Sequence, residues 1–339
     1  MHALQLLQPG PISTDPLELV ERRTPEPRPG EVLIEVSACA VCRTDLQLVE
    51  GDLAARRLPI VPGHQVVGIV RQLGEAVGAD LGVAEGDRVG IAWIGGACGA
   101  CEHCRAGREN LCPHAAFTGW DRDGGYAEYV TADARYVHQL PDGFADRHAA
   151  PLLCGGAIGY RSLRVAEVQP GQRIGLYGFG ASATVAIQVA VAWGCEVYVA
   201  TRSESERQRA LSLGAIWAGS YDEAPPAELH SAITFAPVGS VVVDALRSVG
   251  PGGNVTINAI HLDRIPQFPY DLLWMERSIR SVANVTRRDV RELLELAAAL
   301  PIETQTVDYP LLGAGQALAD LADGRVSGAA VLTAAGASG

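Results

Sequence analysis

Four cysteines in one short stretch constrain this chain more than any other feature of its sequence. Cys98, Cys101, Cys104 and Cys112 follow the spacing Cys-x2-Cys-x2-Cys-x7-Cys. Four thiolates so close in sequence match the tetrahedral ligand set of a structural zinc ion, with zinc–sulfur bonds of about 2.3 Å. An iron–sulfur cluster also takes four cysteines, but the chain carries no signature of a second cluster or of a redox partner. The stretch therefore predicts a lobe that is pinned by zinc rather than by a core of its own.

The composition excludes several classes of protein. The chain has 339 residues, which suffices for two domains of roughly 100–200 residues each. With 48% hydrophobic and 19% charged residues it is typical of a globular protein, and its net charge of −12 disfavours nucleic acid or an anionic membrane as a partner. It has no apolar run of about 20 residues, which a membrane span needs, and its first residues lack the pattern of a signal peptide. We therefore expect a soluble, cytoplasmic protein that binds neither nucleic acid nor membrane.

The pattern of predicted elements changes near residue 150. Before that point, strands are expected at 31–38, 65–73 and 87–92, separated by turns that contain glycine. After it, short apolar strands at 173–177 and 196–200 alternate with helical patterns, which is typical of a doubly wound parallel sheet. A further helix is expected at about 289–300, followed by turns and short strands.

A glycine-rich turn lies between the first strand and the first helix of this alternating part. Its sequence, Gly178-Phe179-Gly180-Ala181-Ser182-Ala183, is a GxGxxA form of the dinucleotide-binding fingerprint. The glycines allow a tight turn and a close approach of the backbone to a pyrophosphate, which meets the N-terminus of the helix. The motif is weak alone, but its position between a strand and a helix favours a dinucleotide cofactor.

A second set of metal-binding side chains is spread along the chain. Cys42, His64 and Cys154 together form a Cys2His set. Three protein ligands with an open fourth position are the arrangement of a catalytic zinc ion, which makes a bound water molecule more acidic. Taken singly, a buried cysteine is more often a small apolar residue, and a histidine is more often a hydrogen-bonded structural one. Spacing alone leaves both interpretations open.

These features occur in the order found in zinc-dependent alcohol dehydrogenases of the medium-chain dehydrogenase/reductase type, which the chain resembles over nearly its whole length. Beside the cysteine cluster and the glycine turn, the motifs that carry the resemblance are Cys42-Arg43-Thr44-Asp45, Pro62-Gly63-His64, Asp123-Gly124-Gly125-Tyr126-Ala127-Glu128-Tyr129 and Leu152-Leu153-Cys154. The resemblance implies an α/β protein with a GroES-like, β-rich catalytic domain that carries the zinc lobe, and a doubly wound Rossmann domain. The expected bounds are 1–153 for the catalytic domain, 154–291 for the cofactor domain, and 292–339 for a return to the catalytic domain.

The resemblance also implies which side chains bind metal. Cys42, His64 and Cys154 would hold the catalytic zinc ion. With the structural site this makes two zinc ions per chain and accounts for six of the eight cysteines. Cys39 and Cys195 would then be free thiols.

Other roles follow from the same resemblance. Thr44 would hydrogen-bond the substrate oxygen and begin a proton relay, Asp45 would orient His64, and Arg43 would contact the pyrophosphate. Many relatives have a histidine where Gln47 stands here, and that histidine passes the proton to solvent. Gln47 has no titratable group, so we expect the relay to end through the cofactor ribose and water.

The end of the second strand of the alternating part bears on the choice of cofactor. An acidic residue there would hold the ribose 2′-hydroxyl of NAD, but Thr201 stands at that position. Arg202 can pair with a 2′-phosphate, with Ser203 beside it. The sequence therefore leans toward NADP(H) over NAD(H), with the alternative that Arg202 is simply a solvated surface residue.

By family position, Trp93, Trp120 and Ile260 are expected to line the substrate pocket. Large apolar walls favour a primary medium-chain or aromatic alcohol or aldehyde over ethanol or a polyol. The alternative for each side chain is ordinary core packing. A polyol dehydrogenase commonly carries a carboxylate where Cys154 stands, and that argues against this alternative.

Two more distant functions remain as alternatives. A zinc-free quinone reductase of the same fold would lack Cys42, His64 and the cysteine cluster. A zinc-lobe module that binds nucleic acid or protein is disfavoured by the acidic balance and by the complete nucleotide turn. Relatives form homodimers or homotetramers, and the sequence does not choose between these two states.

Overall fold

The computed structural model describes residues 1–260 and 262–334. They divide into two compact units. The first comprises Met1–Cys154, Asn284–Ala299 and the described residues from Glu303 onward, and the second comprises the described part of Gly155–Ala283 with Leu300–Ile302. Within the described parts of the chain, no helix combines the length and the apolar composition needed to cross a bilayer.

The first unit is rich in β-structure. Its strands are β1 (His2–Leu6), β2 (Leu17–Glu21), β3 (Glu31–Val41), β4 (Gln65–Leu73), β5 (Arg88–Ile91), β6 (Ile94–Gly96), β7 (Ala116–Phe117), β8 (Tyr129–Asp133), β9 (Val137–Gln139), β16 (Thr306–Pro310) and β17 (Ala329–Thr333). Its helices are α1 (Arg43–Glu50), α2 (Glu102–Arg105), α3 (Asp146–Ala149), α8 (Arg287–Ala299) and α9 (Ala314–Ala322).

The main sheet of this unit runs in the order β16-β17-β3-β4-β5-β9, with β8 also paired to β3. All of its pairings are antiparallel except that of β16 with β17. The core is built from fully buried branched side chains such as Ile34 on β3 and Val66 on β4. These β-branched residues suit a pleated surface that is buried on at least one face.

The register between β3 and β4 determines where the first site is built. Ala40 pairs with Gln65 in this antiparallel ladder. The C-terminal end of β3 therefore lies beside the N-terminal start of β4. Cys42 follows β3 and His64 precedes β4, so the ladder brings two distant positions of the chain to the same edge of the sheet.

The second unit alternates strands with helices, as the sequence pattern predicts. Its strands are β10 (Arg173–Tyr177), β11 (Glu196–Ala200), β12 (Trp217–Gly219), β13 (Leu229–Thr234), β14 (Val249–Ile257) and β15 (Ser278–Ser281), and its helices are α4 (Gly155–Val165), α5 (Ala181–Ala192), α6 (Glu204–Ser212) and α7 (Gly239–Ser248). The sheet is parallel, in the order β12-β11-β10-β13-β14-β15. This is the strand order of a doubly wound dinucleotide-binding fold, which confirms the predicted fold class.

The second of the two boundaries between the units lies earlier in the chain than expected. The sequence placed it at 291/292, whereas the first unit resumes at Asn284. The reason is α8, which runs unbroken from Arg287 to Ala299 across the expected boundary. The start of this helix is also tied to the first unit, because the Arg287 backbone N–H and Nε both donate to Glu109 Oε1, at 3.0 and 3.2 Å.

Candidate active site

Three side chains that are far apart in sequence converge at the edge of the main sheet. Cys42 is the N-cap residue of α1, and His64 lies just before β4. Cys154 follows a short 3-10 turn, Ala150–Leu153, all of whose residues are buried. The Cys42 Sγ, the Cys154 Sγ and one ring nitrogen of His64 lie within 4.8 Å of one another. The structure thus brings together the three ligands that the sequence predicted.

The donor set and its spacing fit a zinc ion. Cys42 Sγ lies 3.4 Å from His64 Nε2. Ligand atoms on a tetrahedral zinc are separated by roughly 3.5–3.8 Å, given zinc–sulfur and zinc–nitrogen bonds of about 2.3 and 2.0 Å. His64 is buried, while Cys42 and Cys154 are partly exposed. Two thiols and one imidazole are the protein share of a catalytic zinc site that keeps one position open.

Asp45 orients the histidine of this set. Its Oδ1 lies 3.0 Å from His64 Nδ1, and its Oδ2 accepts a 2.9 Å hydrogen bond from the Cys42 backbone N–H. Burial disfavours the charged imidazole, but the charges of Asp45 and Cys42, with their hydrogen bonds, raise the pKa of His64 to about 10. The surroundings of Nε2 therefore favour a positive charge at this position, whether it is a proton or a metal ion.

Thr44, Gln47 and Arg43 follow on α1. Thr44 and Gln47 are partly exposed, and Arg43 is exposed. The helix begins at Arg43 after Cys42 as its N-cap. Asp45 is the third residue of the helix. Its carboxylate accepts from the Cys42 backbone N–H, as an acidic residue at the third position of a capping box does.

An aromatic cluster adjoins His64. The Trp93 ring meets the His64 ring edge-on, with 4.7 Å between centroids and an interplanar angle of 74°. Phe117 and Trp120 stack on Trp93, at 5.2 and 5.8 Å between centroids. Trp93 and Trp120 thus lie together beside the ligand set, whereas Ile260 lies in the second unit and is 62% exposed. Phe117 was not predicted from the sequence, and only the pairing of β6 with β7 brings it to this place.

The four cysteines of the lobe also converge. Their sulfurs lie within 4.8 Å of one another, with Cys98 Sγ 3.9 Å from Cys104 Sγ and 3.5 Å from Cys112 Sγ. Backbone N–H groups donate to three of these sulfurs, at 3.4 Å in each case. Such hydrogen bonds from the N–H groups of Ala100 and Cys101 lower the pKa of Cys98 to about 6. A thiolate held in this way is the form that binds zinc.

Two cysteines stay outside both sets. Cys39 is fully buried on β3, and Cys195 is 7% exposed before β11. Burial raises the pKa of both thiols.

The glycine turn has the geometry that phosphate binding requires. Gly178 has φ +93°, and a Cβ there would lie 2.9 Å from the Ala236 backbone nitrogen. Gly180 is the N-cap residue of α5, and no atom lies within 4 Å of where its Cβ would be. Ala181 is exposed and Ser182 partly exposed at the start of that helix. The first helical N–H groups therefore face an open side of the turn.

The end of β11 carries one feature that the sequence pattern did not reveal. The buried Thr201 donates its hydroxyl to the Glu206 carboxylate from α6. Arg202 is exposed, and Ser203 is the N-cap of α6, where its Oγ accepts from the Glu206 N–H at 3.4 Å. The end of β11 has no acidic residue of its own. The Glu206 carboxylate nevertheless lies beside it, because the first turn of α6 brings Glu206 back to Thr201.

Fold and sites together define a zinc-binding dehydrogenase with a nucleotide-binding domain. Residues 28–142 match the family model of the alcohol dehydrogenase GroES-like domain, and residues 183–299 match that of the zinc-binding dehydrogenases. The chain belongs to the zinc-dependent alcohol dehydrogenases of the medium-chain dehydrogenase/reductase family.

Individual relatives cover almost the entire chain. It is 52% identical to a Mycobacterium tuberculosis protein named "Probable alcohol dehydrogenase AdhA", over 98% of this chain and 97% of that one. It is 34% identical to an alcohol dehydrogenase of Geobacillus stearothermophilus, over 93% and 95% of the two chains. A cobalt- and zinc-bound thermostable alcohol dehydrogenase from Pyrobaculum aerophilum superposes with a TM-score of 0.87 at 28% identity, over 98% and 99% of the two chains.

Proposed function

We propose that this alcohol dehydrogenase interconverts primary alcohols and aldehydes with a medium-length or aromatic organic group. The observation that carries the proposal is the contact of Trp93 with the ring of His64, backed by Phe117 and Trp120. A broad apolar surface beside the metal ligands favours a substrate whose organic part can cover it. A short alcohol such as ethanol leaves most of that surface in contact with water.

The roles of the chain's own residues follow from the site. Cys42, His64 and Cys154 would hold the catalytic zinc ion, and Cys98, Cys101, Cys104 and Cys112 would hold the structural one. The catalytic zinc ion, when bound, supplies Lewis acidity toward the substrate oxygen. Asp45 keeps His64 in the tautomer that turns Nε2 toward the metal. Thr44 accepts the hydroxyl proton of the alcohol and begins its transfer to solvent.

The nicotinamide cofactor is held by the glycine turn and the start of α5. Gly178, Gly180, Ala181 and Ser182 would bind its pyrophosphate there through backbone N–H groups. The first unit, which includes Cys154, carries the proposed metal ligands, and the second unit carries the proposed cofactor-binding turn. When bound, the nicotinamide would supply the hydride chemistry of the reaction.

Arg202 and Ser203 support a preference for NADP(H). Arg202 is exposed at the end of β11, where it can pair with a 2′-phosphate. Glu206 opposes this preference, because its carboxylate would repel a phosphate placed near Thr201. The two charges act against each other, so we expect a preference of several-fold rather than an absolute one.

Initial rates test the substrate and the cofactor together. NADPH and NADH oxidation is measured at equal low concentration, with benzaldehyde, octanal and acetaldehyde. We expect NADPH to be preferred, and the two larger aldehydes to have the higher kcat/KM. Arg202→Ala should abolish the preference for NADPH, whereas Glu206→Gln should increase it. A clear preference for NADH would mean that Thr201 or Glu206 serves the ribose hydroxyl, and a preference for acetaldehyde would refute the proposed substrate class.

The oligomeric state and the compartment complete the proposal. Strand β15 is an edge of the parallel sheet, and Tyr270, Trp274 and Met275 nearby in sequence are 65%, 57% and 51% exposed. An open sheet edge and large exposed apolar side chains close to it in sequence favour a homodimer or homotetramer. Light scattering measures this oligomeric state directly. The zinc ligands must be reduced thiolates, so we propose that the enzyme works in a reducing compartment such as the cytoplasm.

A further inference from the structure

The aromatic cluster next to His64 ends in a positive charge. Trp93, Phe117 and Trp120 pack with ring centroids 5.2 to 5.8 Å apart, and the Trp93 and Trp120 planes are 15° from parallel. The guanidinium of Arg56 lies over Trp120, with its central carbon 3.8 Å from the ring centroid. The stack therefore runs from a half-exposed arginine, through two indole rings, to the ring of a metal ligand.

Arg56 is itself held in place. Its Nη1 donates to both carboxylate oxygens of Asp121, at 3.1 Å each. Asp121 Oδ2 also accepts the Phe117 backbone N–H at 2.8 Å. One carboxylate thus ties the arginine to the backbone of an aromatic residue in the stack. A planar guanidinium held by a carboxylate can stack on an indole ring, which a lysine ammonium cannot do in the same way.

The segment that carries Arg56 makes a second contact with the same indole. Trp120 Nε1 donates to the Ala54 carbonyl oxygen at 2.9 Å. Ala54 therefore contacts the edge of the Trp120 indole, and Arg56 lies over its ring. Trp120 is only partly buried, so these contacts replace the packing that a core tryptophan would have.

We propose that Arg56 is a positioning residue for substrate selection, which holds Trp120 against Trp93 and so maintains the aromatic surface beside His64. The inference rests on the proposed function, because it takes this surface as the one that receives the organic group of the substrate. Losing the arginine lets Trp120 leave the stack. An aromatic substrate then loses the surface that it covers, whereas a short aldehyde does not depend on it.

The adjacent Arg57 provides a matched control. It is 49% exposed, against 46% for Arg56, and it pairs with Asp123 at 2.7 Å. Of these two described arginines, only Arg56 lies over the aromatic rings. The same substitution at the two positions therefore removes the same charge and a similar ion pair, but removes the stacking contact at one position only.

The experiment compares Arg56→Leu, Arg56→Lys and Arg57→Leu with the zinc-loaded wild-type enzyme. We expect Arg56→Leu to raise the KM for benzaldehyde several-fold with little change in kcat, and to change the KM for propanal much less. Arg56→Lys should lose most of the same selectivity because it keeps the charge without the planar stacking group. Arg57→Leu should match the wild type. Equal effects of the two leucine substitutions, or equal effects on the two aldehydes, would overturn the proposal.

Tryptophan fluorescence tests the positioning without any turnover. Each variant is compared with its counterpart carrying Trp120→Phe, so that the difference spectrum reports Trp120 among the five tryptophans. Arg56→Leu should shift the Trp120 emission to longer wavelength and increase its quenching by acrylamide, and Arg57→Leu should do neither. An unchanged Trp120 signal would refute the role of Arg56. If the wild type reduces neither aldehyde, the proposed function fails, while this comparison still decides whether Arg56 holds Trp120.

Discussion

Cys154, a proposed zinc ligand, has an irregular backbone conformation. It lies between a buried 3-10 turn and the first residue of α4, with φ −131° and ψ −73°, outside both regular conformations. Cys42 and His64 are instead placed by a strand ladder. A residue at the junction of two elements is positioned by both, and here the Cys154 Sγ lies within 4.8 Å of the donor atoms of Cys42 and His64.

Replacing Cys154 by serine tests the ligand set directly. We expect Cys154→Ser to lose the catalytic zinc ion and keep the lobe zinc, so that metal analysis falls from two ions to one per chain. Loss of an outer partner of a zinc ligand already costs about 10–100-fold in activity, so loss of a ligand should cost more. Cys195→Ser is the control, since this buried thiol lies in neither set. Full activity of Cys154→Ser would show that Cys154 is not a ligand.

Gln47 stands where we propose that the proton relay runs, and this position bears on how activity would depend on pH. It is a partly exposed residue on α1, and it has no group that titrates near neutrality. We expect Gln47→His to add an ionisation near pH 6.5 to the profile of kcat/KM, because an imidazole can pass the substrate proton to solvent. The rates are measured between about pH 5.5 and 9 with the wild type alongside. An unchanged profile would count against a relay through this position.

At the scale of elements, the turn before β4 places His64. Gly63 has φ +94°, and a Cβ there would lie 2.4 Å from the Tyr126 ring. The turn thus needs glycine both for its backbone conformation and for the close approach of a fully buried side chain. The sequence predicts β4 at 65–73, as the structure has it, but nothing in the local pattern reveals that Tyr126 packs against the turn.

A pair of glycine substitutions separates these two requirements. Gly86 has φ +91°, but no atom lies within 4 Å of where its Cβ would be, so Gly86→Ala carries the backbone cost alone, about 1 kcal/mol. We expect Gly63→Ala to add an overpacking cost of about 1–3 kcal/mol and to displace His64, lowering zinc content and activity. Urea unfolding and metal analysis of the two variants measure this. Equal behaviour of both variants would mean that the Tyr126 contact does not matter.

At the scale of the whole molecule, one buried histidine links stability to pH. His138 on β9 is 8% exposed, and its Nε2 has no hydrogen-bond partner among the described residues. Burial, with the charges of Arg287 and Arg291 on α8, lowers its pKa from 6.5 to about 4. The folded protein therefore keeps this ring neutral at a pH where the unfolded chain protonates it.

The sign of the effect follows from this lowered pKa. Above pH 6.5 the ring is neutral in both states; as the pH falls from 6.5 to about 4, only the unfolded chain takes up the proton, so stability is lost over that interval. The full loss amounts to about 3 kcal/mol. We expect His138→Leu to unfold like the wild type at pH 7 and to lose less stability between pH 6.5 and 4, measured by urea unfolding. Parallel losses in the two proteins would refute this assignment.

The sequence by itself determined the parts of this protein that are encoded over a few neighbouring residues. The cysteine spacing indicated the lobe, the glycine turn indicated the cofactor domain, and the apolar runs placed β10 and β11 at their observed bounds. These features are local, because a turn, a strand and a metal loop each impose their own pattern on adjacent positions. Cys42, His64 and Cys154 were also predicted as ligands, but through the resemblance to a family rather than through their spacing.

Only the tertiary structure decided which distant residues meet. The contact of Arg56 with Trp120 and the return of Glu206 to Thr201 leave no mark in the local sequence. They depend on strand register and on how helices pack, which sum many weak interactions along the whole chain. A charged residue on the surface looks the same in sequence whether it faces solvent or an indole ring, and only packing tells these apart.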